Sequence, residues 1–163
     1  MLYLLDANVL ISAHELHYPL DRIPQFWTWL LAMAAADTVK LPYEIYSEIA
    51  VSTGDLKDWL TAPDNSKKLK LNAQVDPANL QRVINEGYAP DLNESDLEQI
   101  GQDPFLVAYA IPFGSAVTVV TREVSKPSKK RQNRKVPDVC EQFEVRCISD
   151  FHLFRELDFK IMS

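Results

Sequence analysis

A chain of 163 residues with 47% hydrophobic and 25% charged residues has the size and make-up of about one soluble globular domain. Its net charge of −6 argues against recruiting nucleic acid through a general positive field. The two cysteines, Cys140 and Cys147, are too few for a disulfide framework and lack metal-site spacing. No leader pattern opens the chain and no apolar run is long enough to span a membrane, so it reads as cytoplasmic, with no membrane association.

The elements alternate in type. An apolar run over 2–5 predicts a buried strand, and a short turn of chain leads from it to a helix over 22–36, opened by Asp21 and the helix-compatible Pro24. Phe26, Trp27, Leu30, Leu31 and Ala34 give that helix its apolar stripe. A short strand over 38–41 precedes Pro42 and a second helix, in which Glu44 and Glu48 stand four apart. Gly54 separates this from a charged helix over 55–60, and alternating lysine and leucine over 68–71 predicts a short strand or extended edge.

Beyond it, Asp76-Pro77 starts an amphipathic helix that ends near Gly87. A short helix over 93–100 is capped by Asn93 or Ser95, and another over 105–111 is stopped by Pro112 and Gly114. A strand over 116–120, a basic loop, a brief helix over 137–143, a strand over 145–148 and a closing helix capped by Ser149-Asp150 complete the chain. Strands alternating with helices predict an α/β fold, a three-layer α/β/α sandwich around a central parallel sheet. The expected organisation is one domain over 1–163 with a helical insertion at about 52–92.

Four acids stand at informative points of this pattern: Asp6 after the first strand, Glu48 on the second long helix, Asp103 at a helix start, and Glu123 beyond the strand over 116–120. Parallel sheets bind ligands at the carboxyl ends of their strands, near the point where strand order reverses. Carboxylates gathered there repel one another, and the hard cations that suit them are Mg²⁺ and Mn²⁺. That implies a metal-dependent enzyme acting on phosphates. The charge balance permits it, because six cations (Lys126, Lys129, Lys130, Arg131, Arg134 and Lys135) fall within 126–135 with no acid among them, leaving 11 basic against 23 acidic groups elsewhere. The run follows Glu123 directly, so it is expected to border the same crevice; Lys129, Lys130 and Arg131 are its candidate substrate contacts.

Taken singly, each acid has a plainer role. Asp6 and Asp103 are good helix-start residues, Glu48 suits a solvated helix face, and Glu123 suits a loop. His14-Glu15-Leu16-His17 is one residue short of the zinc-protease spacing and reads as surface or entrance. The cysteines read as reduced core thiols, and the tryptophans 27, 29 and 59 as packing or interface residues.

The order of four short motifs resembles the PIN-domain family. Tyr3-Leu4-Leu5-Asp6-Ala7-Asn8 is similar to its first strand and acid, and Glu44-Ile45-Tyr46-Ser47-Glu48 to the helix with its second acid. Asp103-Pro104-Phe105-Leu106-Val107-Ala108-Tyr109-Ala110 resembles its third motif, and Val119-Val120-Thr121-Arg122-Glu123 its strand followed by Thr-x-Asp, with Glu for Asp. The resemblance implies a PIN-like sandwich that binds Mg²⁺ or Mn²⁺ and hydrolyses RNA, in the manner of VapC-type ribonuclease toxins. Asp6, Glu48, Asp103 and Glu123 would be its catalytic acids, with Asp6, Asp103 and Glu123 on the metal, and Asn8 and Thr121 would orient substrate. RNA is then the substrate, and an antitoxin protein and a second copy of the chain are the implied partners. The longer Glu123 and the segment 52–92 depart from the minimal pattern. They leave room for a nucleic-acid-binding module with weak or no turnover; a hydrolase of small phosphates is disfavoured by the lack of a glycine-rich phosphate loop among only 4 glycines.

Overall fold

The computed structural model describes residues 1–162. Its centre is a four-stranded, all-parallel sheet made of β1 (Leu2–Leu5), β2 (Val39–Lys40), β3 (Val117–Val120) and β4 (Arg146–Ile148), in the order β2-β1-β3-β4. Such short strands hold a sheet because they are buried on both faces: all four residues of β3 are buried, Thr118 included. Parallel strands need crossovers, and helices supply them. The helices α1 (Ala7–Ser12) and α2 (Pro24–Ala35) link β1 to β2. Between β2 and β3 come α3 (Tyr43–Ala50), α4 (Asp55–Thr61), α5 (Pro63–Leu69), α6 (Pro77–Arg82), α7 (Glu94–Ile100) and α8 (Asp103–Ala110). Helix α9 (Val136–Gln142) joins β3 to β4, and α10 (Asp150–Glu156) follows. The result is the expected α/β/α sandwich.

The strand register assigns the two faces. Tyr3, Thr118 and Arg146 form one lateral row across β1, β3 and β4. Glu156 of α10 reaches across that row: it accepts from the Tyr3 hydroxyl and from Arg146 at 2.7 Å, while Arg146 also donates to Thr118 at 3.2 Å. On the same side, Phe26 of α2 packs its ring 5.2 Å from that of Phe154 and 4.7 Å from Tyr18. The neighbouring row, Leu4, Val119 and Cys147, belongs to the opposite face, where α8 and α9 lie. The core draws residues from β1 through α10, including both ends of the 52–92 segment through Leu56, Leu60, Leu69, Val83 and Tyr88.

Two elements differ from the sequence reading. Residues 7–17, expected as a turn, form α1 and a π-type turn (Ala13–His17), because Ala7, Val9, Leu10 and Ala13 all point into the core. Residues 63–69, expected to lead into an extended edge, are helical, since Pro63 at the first helical position starts α5. The extended reading survives at Lys70, which bridges Leu41 in parallel. The expected caps hold on α7, where Asn93 and Asp96 form a reciprocal capping box, and on α10, where Ser149 accepts from His152 N–H. Asp21 does not open α2, which starts at Pro24 after Ile23 with no side-chain cap. The tryptophans are packing residues, with Trp27 and Trp59 rings 4.8 Å apart, and both cysteines are free thiols. Among the described residues no helix is long and apolar enough to cross a membrane.

A second π-type turn, Val83–Tyr88, continues α6 and packs on α9. Its close approach depends on Gly87, where an added Cβ would lie 3.0 Å from both Val139 Cγ1 and Phe143 Cε2. Gly87→Ala should therefore cost about 1–3 kcal/mol, read as a lower Tm in thermal unfolding. Val139→Ala in the same chain should return part of the loss; an unchanged Tm in the single variant would contradict this packing.

Candidate functional site

The site begins with the pairing of β1 and β3. Leu5 lies beside Val120, so the next residue of each strand, Asp6 and Thr121, leaves the sheet at the same point. Thr121 Oγ1 donates to Asp6 Oδ2 at 2.9 Å, and both residues are buried. This point is also the switch in strand order, since the chain goes from β1 to β2 on one side and later returns as β3 on the other. The turn after β3 is fixed by its neighbours. Asn8 Oδ1 accepts from Arg122 N–H at 3.2 Å, and Thr121 Oγ1 accepts from Glu123 N–H at 3.1 Å. Asn8 thus organises the loop that carries Glu123.

The other acids arrive from the α8 face of the sheet. Asp103 is the first residue of α8, which starts directly after α7 because Gly101 takes a left-handed φ of 53° between them. Glu48 comes from the last turn of α3, on the open side of the crevice. Glu123 hangs from the loop after β3, and its Oε2 accepts from Val136 N–H at 2.8 Å. The extra methylene that distinguishes Glu from Asp is what spans to the start of α9. Glu44, the other acid of α3, turns elsewhere: both its oxygens accept from the Tyr109 hydroxyl, at 2.9 and 3.1 Å.

Asp6, Glu48, Asp103 and Glu123 lie near enough for charge on one to act on another. Burial pushes the Asp6 carboxyl up to about 6, with the Thr121 hydrogen bond opposing the rise and the Glu123 charge adding to it. Asp103 is pushed up to about 8, first by burial and then by Asp6, Glu123 and Glu48, with Lys135 opposing. Glu48 is raised by burial of its carboxyl and by Asp6. A carboxyl at the start of a helix is ordinarily favoured as an anion, so for Asp103 desolvation and like charge outweigh the helix dipole. The donor set is all carboxylate oxygen, which suits Mg²⁺ or Mn²⁺ by chemistry. Among the described residues no group of three His, Cys, Asp or Glu is already closed around a common point.

The basic loop borders this site. A pocket of about 210 Å³ is lined by Asp103 and Glu123 on one side and by Lys129, Arg134 and Lys135 on another, closed by Tyr88, Gln132 and Asn133 among others. The loop is tied down rather than freely solvated. Buried Asp138 accepts from Ser125 and, at 2.8 Å, from Lys126 N–H. Arg134 donates to the carbonyl of Gly87 at 2.6 Å. Arg131 instead pairs with Asp91 at 2.9 Å, and neither it nor Lys130 lines the pocket. A much larger hollow, about 1240 Å³, lies on the far side around Leu2, Lys40, Glu44, Lys67, Lys70 and Tyr109, and contains none of the four acids. His14 and His17 are outside the site too, with His17 packed on Phe151 at 4.9 Å. Tyr88 gave no sign of its place in the sequence. Its phenol is pushed well above the ordinary value by burial and then by Asp103 and Glu123. Arg134 and Lys135 were visible as members of the charge run.

A model of one family matches the chain over residues 3–161. The protein belongs to DUF4411, described as a domain of unknown function. The match begins inside β1 and runs past α10, so the carboxylate site lies within the DUF4411 domain itself. No curated protein and no solved structure matches this DUF4411 chain.

The raised carboxyl of Asp103 makes stability depend on pH. Between its ordinary value of 3.8 and about 8 the folded chain binds the proton more tightly than the unfolded one, so this residue's contribution becomes less favourable as pH rises through that window. Asp103→Asn should therefore stabilise the fold at pH 7.5 by on the order of 1–2 kcal/mol after allowance for relaxation, read as a higher Tm. The gain should shrink towards pH 4. Thermal unfolding of both proteins across pH 4–8 checks it, and a variant less stable than the parent at pH 7.5 would contradict the assignment.

Proposed function

We propose that this domain is a metal-dependent endoribonuclease that hydrolyses RNA phosphodiester bonds, as its likeness to PIN-domain ribonucleases implies. One observation carries the reading: acids from four elements far apart in sequence lie around the switch point of a parallel sheet, and Asp6, Glu48 and Asp103 resist ionisation there. Natural sequences keep such mutual repulsion where function requires it. Bordering cations on the 126–135 loop supply what the acids alone lack, an attraction for phosphate.

On this reading Asp6, Asp103 and Glu123 hold Mg²⁺ or Mn²⁺. The ion's chemistry is Lewis acidity, offsetting charge on the phosphate and easing deprotonation of the attacking water. Thr121 keeps the Asp6 carboxylate turned into the crevice. Glu48, on the open side, takes the proton from the attacking water, and its raised affinity for protons suits that task. Asn8 and Thr121 hold the Glu123 loop against the substrate. Lys129 and Lys130 contact the RNA backbone, and Arg131 contributes from its pair with Asp91 at the rim.

A second reading has its own support. One Glu123 oxygen is engaged by Val136 N–H, which leaves it less free for a cation. That engagement suits a nucleic-acid-binding module that keeps the fold with weak or no turnover. A narrower form of the first reading makes the protein a cytoplasmic toxin of a type II toxin–antitoxin pair, a homodimer held by an antitoxin protein.

Purified protein incubated with structured and single-stranded RNA should cleave it in Mg²⁺ or Mn²⁺ and not in EDTA. Asp6→Asn should lower the rate by about a hundredfold or more. RNA bound but left intact under every metal would select the binding module. In an active protein, Lys129→Gln with Lys130→Gln should mainly raise KM and flatten its salt dependence, because these side chains meet phosphate and not the reacting atoms.

A further inference from the structure

The pocket beside the carboxylates holds two polar groups that nothing among the described residues satisfies. Tyr88 is 6% exposed, and its hydroxyl has no hydrogen-bond partner among them. Gln132 Oε1, on the same pocket, is likewise buried without a donor. A buried polar atom left unpaired forfeits its hydration without recompense, and natural folds rarely keep one without a use. Two on one small pocket mark it as a place shaped for a guest.

The charges say what guest. Lys129, Arg134 and Lys135 line the pocket, and among the described residues none of them forms an ion pair. Arg134 is held in place by neutral acceptors, the carbonyls of Gly87 and Asp138 and the side chain of Gln142, so its position is fixed while its charge stays uncompensated. Three unpaired cations against the two pocket acids, Asp103 and Glu123, leave a positive balance. A volume of about 210 Å³ admits a phosphate group with part of its sugar and is too small for a folded partner.

We infer that Tyr88, Lys129, Arg134 and Lys135 form a nucleotide-phosphate subsite next to the carboxylates, in which the Tyr88 hydroxyl donates to a phosphate oxygen. The inference rests on the nucleic-acid reading of the site and adds residues to it: a phosphate other than the one being hydrolysed would be gripped here, fixing the strand relative to the acids. The π-type turn that ends at Tyr88 is pinned by Arg134 through the Gly87 carbonyl, so the loop and the tyrosine form one rigid cradle. Tyr88 in this role is a binding residue and leaves the chemistry to the acids.

The test is calorimetric titration of the full chain in Mg²⁺ with uridine 5′-monophosphate, with uridine as the control. The monophosphate should bind and uridine should bind at least tenfold more weakly. Tyr88→Phe, which keeps the ring and removes only the unpaired hydroxyl, should lose about ten- to a hundredfold in affinity. Its Tm should equal or exceed the parent's, because no bond within the chain is broken. Lys135→Gln should also weaken binding of the monophosphate. A 2′-O-methyl oligonucleotide with a 5′-hydroxyl carries internal diesters alone; tighter binding of it than of the monophosphate assigns the subsite to an internal phosphate, the reverse to a chain end. No binding of the monophosphate by the parent, or parent-like affinity in Tyr88→Phe, would overturn the proposal. The two readings separate cleanly. Tyr88-dependent binding without RNA cleavage keeps the subsite and removes the nuclease, whereas RNA cleavage with a parent-like KM in Tyr88→Phe keeps the nuclease and removes the subsite.

Discussion

Everything at the site depends on the register between β1 and β3. Two four-residue strands, separated by more than a hundred residues of sequence, pair so that Leu5 lies beside Val120. A slip of one residue would turn Asp6 and Thr121 to opposite faces of the sheet, because side chains alternate. The register is held from both faces: by the apolar row of Leu4 and Val119 towards α8, and by the polar lacing of Tyr3, Thr118 and Arg146 to Glu156 on α10. The last helix thereby secures the geometry of the site, and its Asp150 also pairs at 3.1 Å with Arg122 of the loop that carries Glu123.

Against this rigid frame the site is built from repulsion. Asp6, Glu48 and Asp103 each resist ionisation, and Glu123 is a cause of that resistance in the first and third. The surrounding fold bears the cost through ordinary packing, as in the all-buried β3 and the aromatic stack of Tyr18, Phe26 and Phe154. Positive charge is supplied locally by the pocket lysines and Arg134, so a chain of net charge −6 still presents a positive rim beside Asp103 and Glu123.

Much of this was legible in the sequence, for physical reasons that also mark where legibility stops. Strands buried on both faces show as continuous apolar runs, so β1 and β3 were plain, and proline and asparagine at helix starts marked α2, α7 and α8. The acids were found because each ends or begins such an element. Helix α1 was missed because its buried positions, Ala7, Val9, Leu10 and Ala13, are too few for a clear stripe in so short a span. Helix α5 was missed because alternating Lys68-Leu69-Lys70-Leu71 imitates a strand, while its start at Pro63 and the burial of Leu69 favour a helix. Tyr88 could not be anticipated: a lone aromatic after a glycine carries no periodic signal, and its position depends on a π-type turn packed against α9 through Gly87. Arg131, prominent in the charge run, is drawn away by Asp91, a pairing that sequence distance conceals.

The strand order has a consequence for the chain during its synthesis. The central strand β1 is made first, yet its neighbour β3 and the hydroxyl that orients Asp6 come 115 residues later. A ribosome that has produced α1 through α8 has made three of the four acids but cannot yet close the sheet around them, since long-range pairing waits for the distant partner to emerge. Any product truncated before β3 therefore carries the acids without the arrangement. The carboxylate arrangement is complete only once β3 has paired with β1, so a nascent or prematurely terminated chain lacks it by topology alone.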